Sequence, residues 1–434
     1  MYSLTGPTVA LVGNGPGEVG GWVLPVARAL RARAPSTRLV LFLPPTQFAG
    51  GHEEVLARRC GLFSLVIPPG RTVATALGLG PALGSVPPFL ARGVQPGAGT
   101  ARDGCRAAQP AGGALLHLGG DLWVSVRLAR RLGVPAYAFV ETPLIARYAR
   151  AFRTIFVGSH THARMLTAAG VPGQAIDVVG DPRLDAVPPR VHERHVDGAP
   201  GDGRTVLFLA GSRPHFLPSL LPLWCEATLE LRRRDGRTRI LLGVSPLLDE
   251  GAVERYLQPW RSRLAAAGIE VARRPAADLL AEADLVVTIP GTTTMEVAAV
   301  PVAALVVLPL HLVGVAPLEG LAHYVARLPI VGPRLIRRRA AVVLARERFV
   351  SLPNRLAGRA VLPELVGEVT PAQVAETAAA LVADAARRRA IEAALREVAG
   401  PRGASDRMAA RILADLPGAA GVAATAAVRP EVPA

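Results

Sequence analysis

The chain reads as an α/β protein of two domains, each a parallel sheet with crossover helices. Three observations predict this. Its 434 residues exceed what one ordinary core serves and suit two domains of about 150–200 residues. Short β-branched runs alternate with longer amphipathic ones. The alternation stops in a polar stretch rich in Pro and Gly, residues 188–203, and then restarts.

Taken in order, Thr8–Val12 is the first strand. A turn, Gly13-Asn14-Gly15-Pro16-Gly17, leads into a helix ending near Ala34, and residues 38–43 are the second strand. Residues 115–118 are a third, followed by a helix through Arg131; Ala136–Phe139, Thr154–Val157 and 177–179 continue the style. The second half opens at Thr205–Leu209, with Arg239–Gly243, Leu285–Thr288 and 303–308 as later strands. Residues 93–113 read as a surface loop, 370–398 as a helical pattern and 405–416 as a shorter one. The expected division is a domain over 1–187, a linker over 188–203, a domain over 204–369, helices over 370–416 and a disordered tail over 417–434.

The formal charge of +15 favours an anionic partner, either acidic lipid or a phosphorylated substrate. No basic run carries interleaved aromatics, so no nucleic acid partner is expected. Cys60, Cys105 and Cys225 are odd in number and fit neither a disulfide framework nor a metal spacing, which suits a reducing cytoplasm. The start of the chain lacks the basic segment and cleavage site of a signal peptide. Residues 297–318 carry no Asp, Glu, Lys or Arg, but Pro301, Pro309, Pro317 and His311 interrupt them. They read as a buried strand and an apolar loop rather than a membrane span.

Five segments carry candidate chemistry. In Gly13-Asn14-Gly15-Pro16-Gly17-Glu18, after a strand, glycines let the backbone approach a ligand closely; a plain tight turn is the alternative. It is no clean dinucleotide fingerprint, because the spacing is wrong and no acidic residue closes the second strand, so a nicotinamide dehydrogenase is the least expected reading. Gly211-Ser212-Arg213, at the end of a strand, offers backbone N–H groups and a guanidinium suited to a diphosphate. Pro290-Gly291-Thr292-Thr293-Thr294-Met295-Glu296 offers donors to phosphate, with a carboxylate one helical turn on that can accept ribose hydroxyls. Gly119-Gly120-Asp121 puts an acid at a strand end. There it can act as a general base or cap the next helix. The last is Phe349-Val350-Ser351-Leu352-Pro353-Asn354-Arg355-Leu356-Ala357-Gly358-Arg359, ending in Val361-Leu362-Pro363-Glu364-Leu365.

That last segment closely resembles the corresponding stretch of the lipid-A-disaccharide synthases in order and spacing. The Gly-Ser-Arg and Gly-Thr-Thr-Thr-Met-Glu segments sit where the family keeps its own versions. The resemblance spans roughly residues 8–415 and is strongest from 205 onward. It implies a GT-B fold, two Rossmann-like domains facing across a cleft. It also implies an inverting hexosyltransferase that moves an acylated glucosamine from UDP to a lipid monosaccharide phosphate. By the same resemblance Gly211, Ser212, Arg213, Gly291, Thr292, Thr293 and Asn354 surround the diphosphate, and Glu296 holds the ribose. Asp121 is the expected base, with Glu18, Glu141 and Asp181 as lesser candidates, and Gly15, Gly17 and Glu18 form the acceptor-side loop.

Two departures lie in the acceptor half. The family's first loop carries a Gly-Glu-Ala-Ser-Gly-Asp type of sequence, against Gly-Asn-Gly-Pro-Gly-Glu here. After the fourth strand Glu141-Thr142-Pro143 replaces an aromatic-rich version.

No cofactor and no metal are expected. There is no Asp-x-Asp motif, and His160 and His162 share a strand-like spacing without a third ligand. Residues 72–91 are apolar, and 312–340 mix apolar residues with Arg327, Arg334, Arg337, Arg338 and Arg339. Both suit shallow insertion under anionic headgroups; ordinary core beside a solvated basic face is the alternative. The expected partners are therefore a UDP-activated acylated sugar, a lipid acceptor and the inner face of the cytoplasmic membrane, with pairing of two copies left open. Competing readings are transfer to a different lipid acceptor, a UDP-sugar 2-epimerase-like enzyme, and a non-catalytic relative that binds nucleotide or lipid.

Overall fold

The structure, a computed structural model, describes residues 7–45, 53–79, 112–187, 204–211, 213–246, 248–313 and 348–416. The chain divides into two compact units, Met1–Ala186 with Pro401–Ala434, and Val187–Gly400. The expected linker, Ser212, Cys105, the tail from 417 and all of the expected 93–113 loop but its last two residues lie outside the described residues; Gly113 is not loop but opens a strand, Gly113–His117. So does most of each stretch expected to touch a membrane.

Among the described residues the first unit holds a seven-stranded sheet, all parallel, in the order β3-β2-β1-β4-β5-β6-β7. Its strands are β1 (Thr8–Val12), β2 (Arg38–Phe42), β3 (Leu65–Ile67), β4 (Gly113–His117), β5 (Ala136–Phe139), β6 (Thr154–Val157) and β7 (Ile176–Val178). The central strands read as largely apolar runs because both faces are covered, whereas the edge strand β7 carries Asp177 and stays half-buried. Successive side chains alternate faces. Val9 and Leu11 join one core cluster with Leu39, Leu41 and Leu116, while Ala10 and Val12 join the other with Val40, Phe42 and Leu115.

The second unit holds a six-stranded parallel sheet in the order β10-β9-β8-β11-β12-β13. Here the strands are β8 (Thr205–Leu209), β9 (Arg239–Gly243), β10 (Glu270–Ala272), β11 (Leu285–Thr288), β12 (Ala303–Pro309) and β13 (Glu364–Gly367). Within 297–318, β12 is the buried strand anticipated, and a helix, Leu310–Val313, follows it. No helix among the described residues is long and apolar enough to cross a membrane.

Three helical expectations change. The pattern over 370–398 is two helices, Pro371–Ala383 and Ala385–Ala399. Asp384 leaves helical geometry between them, and its side chain accepts from Arg387 N to start the second. His160 and His162 open a helix, His160–Ala168, rather than a strand, because Ser159 caps it by accepting from His162 N. The helices grouped over 370–416 also part company. The first two belong to the second unit, whereas Ala404–Ala414 belongs to the first.

That last helix completes the first core. Met408, Ala409, Ile412 and Leu413 are buried with β-sheet residues, and the helix packs against Leu24–Arg33. Asp185 accepts from Gly403 N (2.6 Å) and Ser405 N (2.8 Å), and Tyr137 donates to Asp415 (2.8 Å).

Candidate functional site

In an open parallel sheet, ligands bind beyond the carboxyl ends of the strands where the strand order reverses, since the flanking loops there diverge and leave a crevice. The first sheet reverses between β1 and β4, the second between β8 and β11. Four of the five motifs fall on these two points: Gly13–Glu18 after β1, Gly119–Asp121 after β4, Gly211–Arg213 after β8 and Pro290–Glu296 after β11.

At the first switch point Glu18 turns inward. One carboxylate oxygen accepts from Asn14 N and Gly15 N (both 2.9 Å), the other from Gly120 N (3.3 Å). Burial raises its pKa, against the pull of those three N–H groups. The bracing dictates its neighbours. A Cβ on Gly119 would stand 2.1 Å from the Glu18 carboxyl carbon, and one on Gly120, at φ +78°, would stand 2.4 Å from Pro44 Cγ. Asn14 ties the same loop to β2 by donating to Pro44 O (2.6 Å). Gly15 and Glu18 thus form a brace, with Gly17 in the short helical turn between them.

Asp121 stands beside that brace, exposed, at the N-cap position of the helix Leu122–Leu132, yet its side chain makes no capping bond. The carboxylate is left facing solvent. The lesser candidates sit elsewhere, in a buried cluster past β5 and β7. Asp181 accepts from Arg183 Nε (3.0 Å) and Nη2 (2.7 Å), and Glu141 accepts from the same Nη2. Arg183 is 1% exposed, so its charge is neutralised by design of the neighbourhood rather than by water. Burial raises the Glu141 pKa, and Arg183 opposes that rise.

At the second switch point the loops lie side by side: a Cβ on Gly211 (φ +76°) would meet Ile289 Cδ1 at 3.7 Å. Thr294 Oγ1 donates to Gly291 O (2.7 Å), which folds the turn back on itself. Among the described residues no hydrogen bond engages the N–H groups of Gly291, Thr292 and Thr293. Arg213 and Glu296 are half-buried at the loop ends, and burial lowers the Arg213 pKa without discharging it at neutral pH. Two further polar atoms here escaped the sequence reading: Thr288 Oγ1 and His215 Nε2 are buried without partners. Buried hydroxyls leave no sequence signal, since Thr also serves as an ordinary strand former.

Asn354 requires a correction. Its amide is buried and saturated: Oδ1 accepts from Val361 N (2.8 Å) and Leu362 N (2.7 Å), while Nδ2 donates to Leu362 O (2.8 Å) and Glu364 (2.7 Å). An amide offers two donors and two acceptor positions, so none remains for a diphosphate. Glu364 also accepts from Val350 N, Ser351 N and Ser351 Oγ, and the helix Leu352–Ala357 packs on the helix Thr293–Ala299. The most family-like segment therefore clamps the backbone behind the Gly291 loop.

Among the described residues no group of His, Cys, Asp or Glu could hold a metal ion. No family model matches the chain. It is 29% identical over 306 residues to the lipid-A-disaccharide synthase of Anaeromyxobacter sp. (strain K), covering 68% of this chain and 72% of that protein. Among solved structures it resembles the UDP-GlcNAc 2-epimerase from Neisseria meningitidis bound to UDP-GlcNAc (TM-score 0.56, 11% identity, 94% of this chain and 100% of that one). It also resembles MurG of Acinetobacter baumannii (TM-score 0.51, 14% identity, 94% and 99%). The two parallel-sheet units and these likenesses establish an α/β, two-domain GT-B fold. With the sequence relationship, they mark this chain as a divergent relative of the lipid-A-disaccharide synthases.

Proposed function

We propose that the chain is a UDP-sugar-dependent glycosyltransferase, inverting at the anomeric carbon, that moves an acylated glucosamine from UDP to a lipid monosaccharide phosphate. The carrying observation is the set of N–H groups at Gly291, Thr292 and Thr293, unengaged among the described residues, at the switch point of the second sheet, where the loop bearing Arg213 also ends. Such donors suit a diphosphate, and they stabilise the negative charge that grows on it as the sugar departs. Glu296 takes the ribose hydroxyls. Asp121 removes the proton from the acceptor hydroxyl, its unpaired carboxylate being open to solvent. The lipid acceptor calls for work at the inner face of the cytoplasmic membrane. Support comes from the synthase relatives and from the likeness to a fold-mate that holds UDP-GlcNAc.

A UDP-sugar 2-epimerase-like activity is the second reading, favoured by the half-buried Glu141 and the buried Asp181 and His162 in the first unit. Mass spectrometry of products from UDP-diacylglucosamine and a crude lipid extract separates the two: a disaccharide lipid with UDP release supports transfer, an isomerised nucleotide sugar supports epimerisation. Calorimetry with UDP tests the shared premise. Glu296→Gln should weaken UDP binding about tenfold, one charge-assisted hydrogen bond; absence of UDP association by the wild type ends both readings.

A further inference from the structure

The buried cluster past β5 and β7 holds donors that its own acceptors do not reach. Arg183 has five N–H groups. Nε and Nη2 are engaged by Asp181 and Glu141, but Nη1 is sealed from solvent with no acceptor among the described residues. Trp22 Nε1 is likewise buried and unpartnered, and the Arg183 Cζ stands 5.3 Å from the centroid of that indole. Buried N–H groups without partners are rare in folded proteins, because each forfeits its bonds to water. Two in one cluster suit a visiting oxygen.

The surroundings were shaped for this pairing. Trp22 sits in a π-helical stretch, Val19–Val23, a wider turn that is uncommon and recurs at functional sites. The stretch sets the indole edge-on to Phe139 (5.3 Å). Gly21 leaves the space that Arg183 crosses, since a Cβ there would come within 2.7 Å of Arg183 Cγ. The cluster is not closed off: the Glu141 side chain is 18% exposed, and only one of its oxygens is engaged.

Charge selects the visitor. Arg183 supplies one positive charge against two carboxyl groups, and the nearby His162 is held toward its neutral form by burial and by Arg183. With Glu141 ionised the cluster is net negative; with Glu141 protonated it is neutral. Neither state attracts phosphate or carboxylate. We propose that Trp22, Arg183 and Glu141 form a hydroxyl-recognition site for a neutral sugar ring, the hydroxyl oxygen accepting from Arg183 Nη1 and Trp22 Nε1 and its proton donated to the open Glu141 oxygen. This deepens the transfer reading, in which the sugar belongs to the acceptor, but its test needs no turnover.

Saturation-transfer NMR with N-acetylglucosamine decides it. The wild type shows transfer to the sugar, and inorganic phosphate leaves the signal unchanged. Trp22→Phe keeps an aromatic ring against Phe139 but lacks the N–H, and weakens binding about tenfold. Should that variant unfold, Glu141→Gln carries the same decision, because the amide turns the open acceptor into a donor; it also weakens the sugar about tenfold. No signal from the wild type, undiminished affinity in the folded variant, or displacement of the sugar by phosphate overturns the inference. UDP calorimetry on the same samples keeps the two readings apart: sugar binding without UDP binding sinks the proposed transfer and leaves this site standing.

Discussion

At the first switch point the N–H groups of Asn14, Gly15 and Gly120 all donate to Glu18, whereas at the second those of Gly291, Thr292 and Thr293 have no acceptor among the described residues. Both points follow the same topology, a strand-end loop on either side of a reversal in strand order. One has filled its backbone donors with an internal acid. The other has kept them. Backbone N–H groups are thus spent in the first unit and open in the second, and the proposed hydroxyl recognition in the first rests on side chains such as Asp121, Trp22, Glu141 and Arg183. The proposed transfer assigns the diphosphate to the open point of the second unit and the hydroxyl to the first unit.

The largest expected effect probes chemistry in the first unit. Asp121→Asn lowers transfer about a hundred- to ten-thousand-fold, the usual worth of a general base, with UDP affinity unchanged. Since Asp121 makes no side-chain bond, its stability also stays put. Transfer at the wild-type rate would remove Asp121 from the base's role.

Next comes the acid limb of stability, which the tight first unit should own. His117 is fully buried against Ser125 Oγ (2.9 Å), and burial lowers its pKa from 6.5 to about 4. The sign is fixed by proton binding: between those values the unfolded chain holds the extra proton. The contribution is therefore complete above pH 6.5 and is lost as pH falls to about 4, roughly 3 kcal/mol in all. Urea titrations across that window should show the decline in the wild type and a flatter limb in His117→Asn. Matching slopes would assign the acid sensitivity elsewhere.

The smallest effect contrasts the two loops directly. Gly119→Ala forces a methyl into the Glu18 carboxylate and costs about 2 kcal/mol of stability, leaving UDP affinity alone. Thr293→Val does the reverse, weakening UDP about fivefold, one neutral hydrogen bond, while unfolding moves by less than about 0.5 kcal/mol. Should Gly119→Ala prove silent in thermal unfolding, the brace is not what separates the two points.

Much of this was legible beforehand, though unevenly. Thr8–Val12, Ala136–Phe139 and Leu285–Thr288 announce themselves because a strand covered on both faces must be apolar throughout. Strands β3 and β10, three residues each, and the helix Glu53–Arg59 are too short for any periodicity to stand out. The glycine motifs could be placed at strand ends, but which donors Glu18 consumes depends on Gly120, 102 residues away. Asn354 misled for the same reason: the pattern showed a polar residue in a family segment, and only the folded chain showed that Val361, Leu362 and Glu364 use every position of its amide.

By itself, then, the order of residues determined two α/β units, their main strands and the glycine turns at the strand ends, because these follow from period, burial and local backbone freedom. The tertiary structure alone decided that Ala404–Ala414 returns to the first unit, that Arg183 and Trp22 meet with donors to spare, and that one switch point is filled and the other open. Each of those outcomes rests on pairing between groups distant in sequence. A linear pattern records which groups can donate or accept, whereas chain closure determines which of them meet.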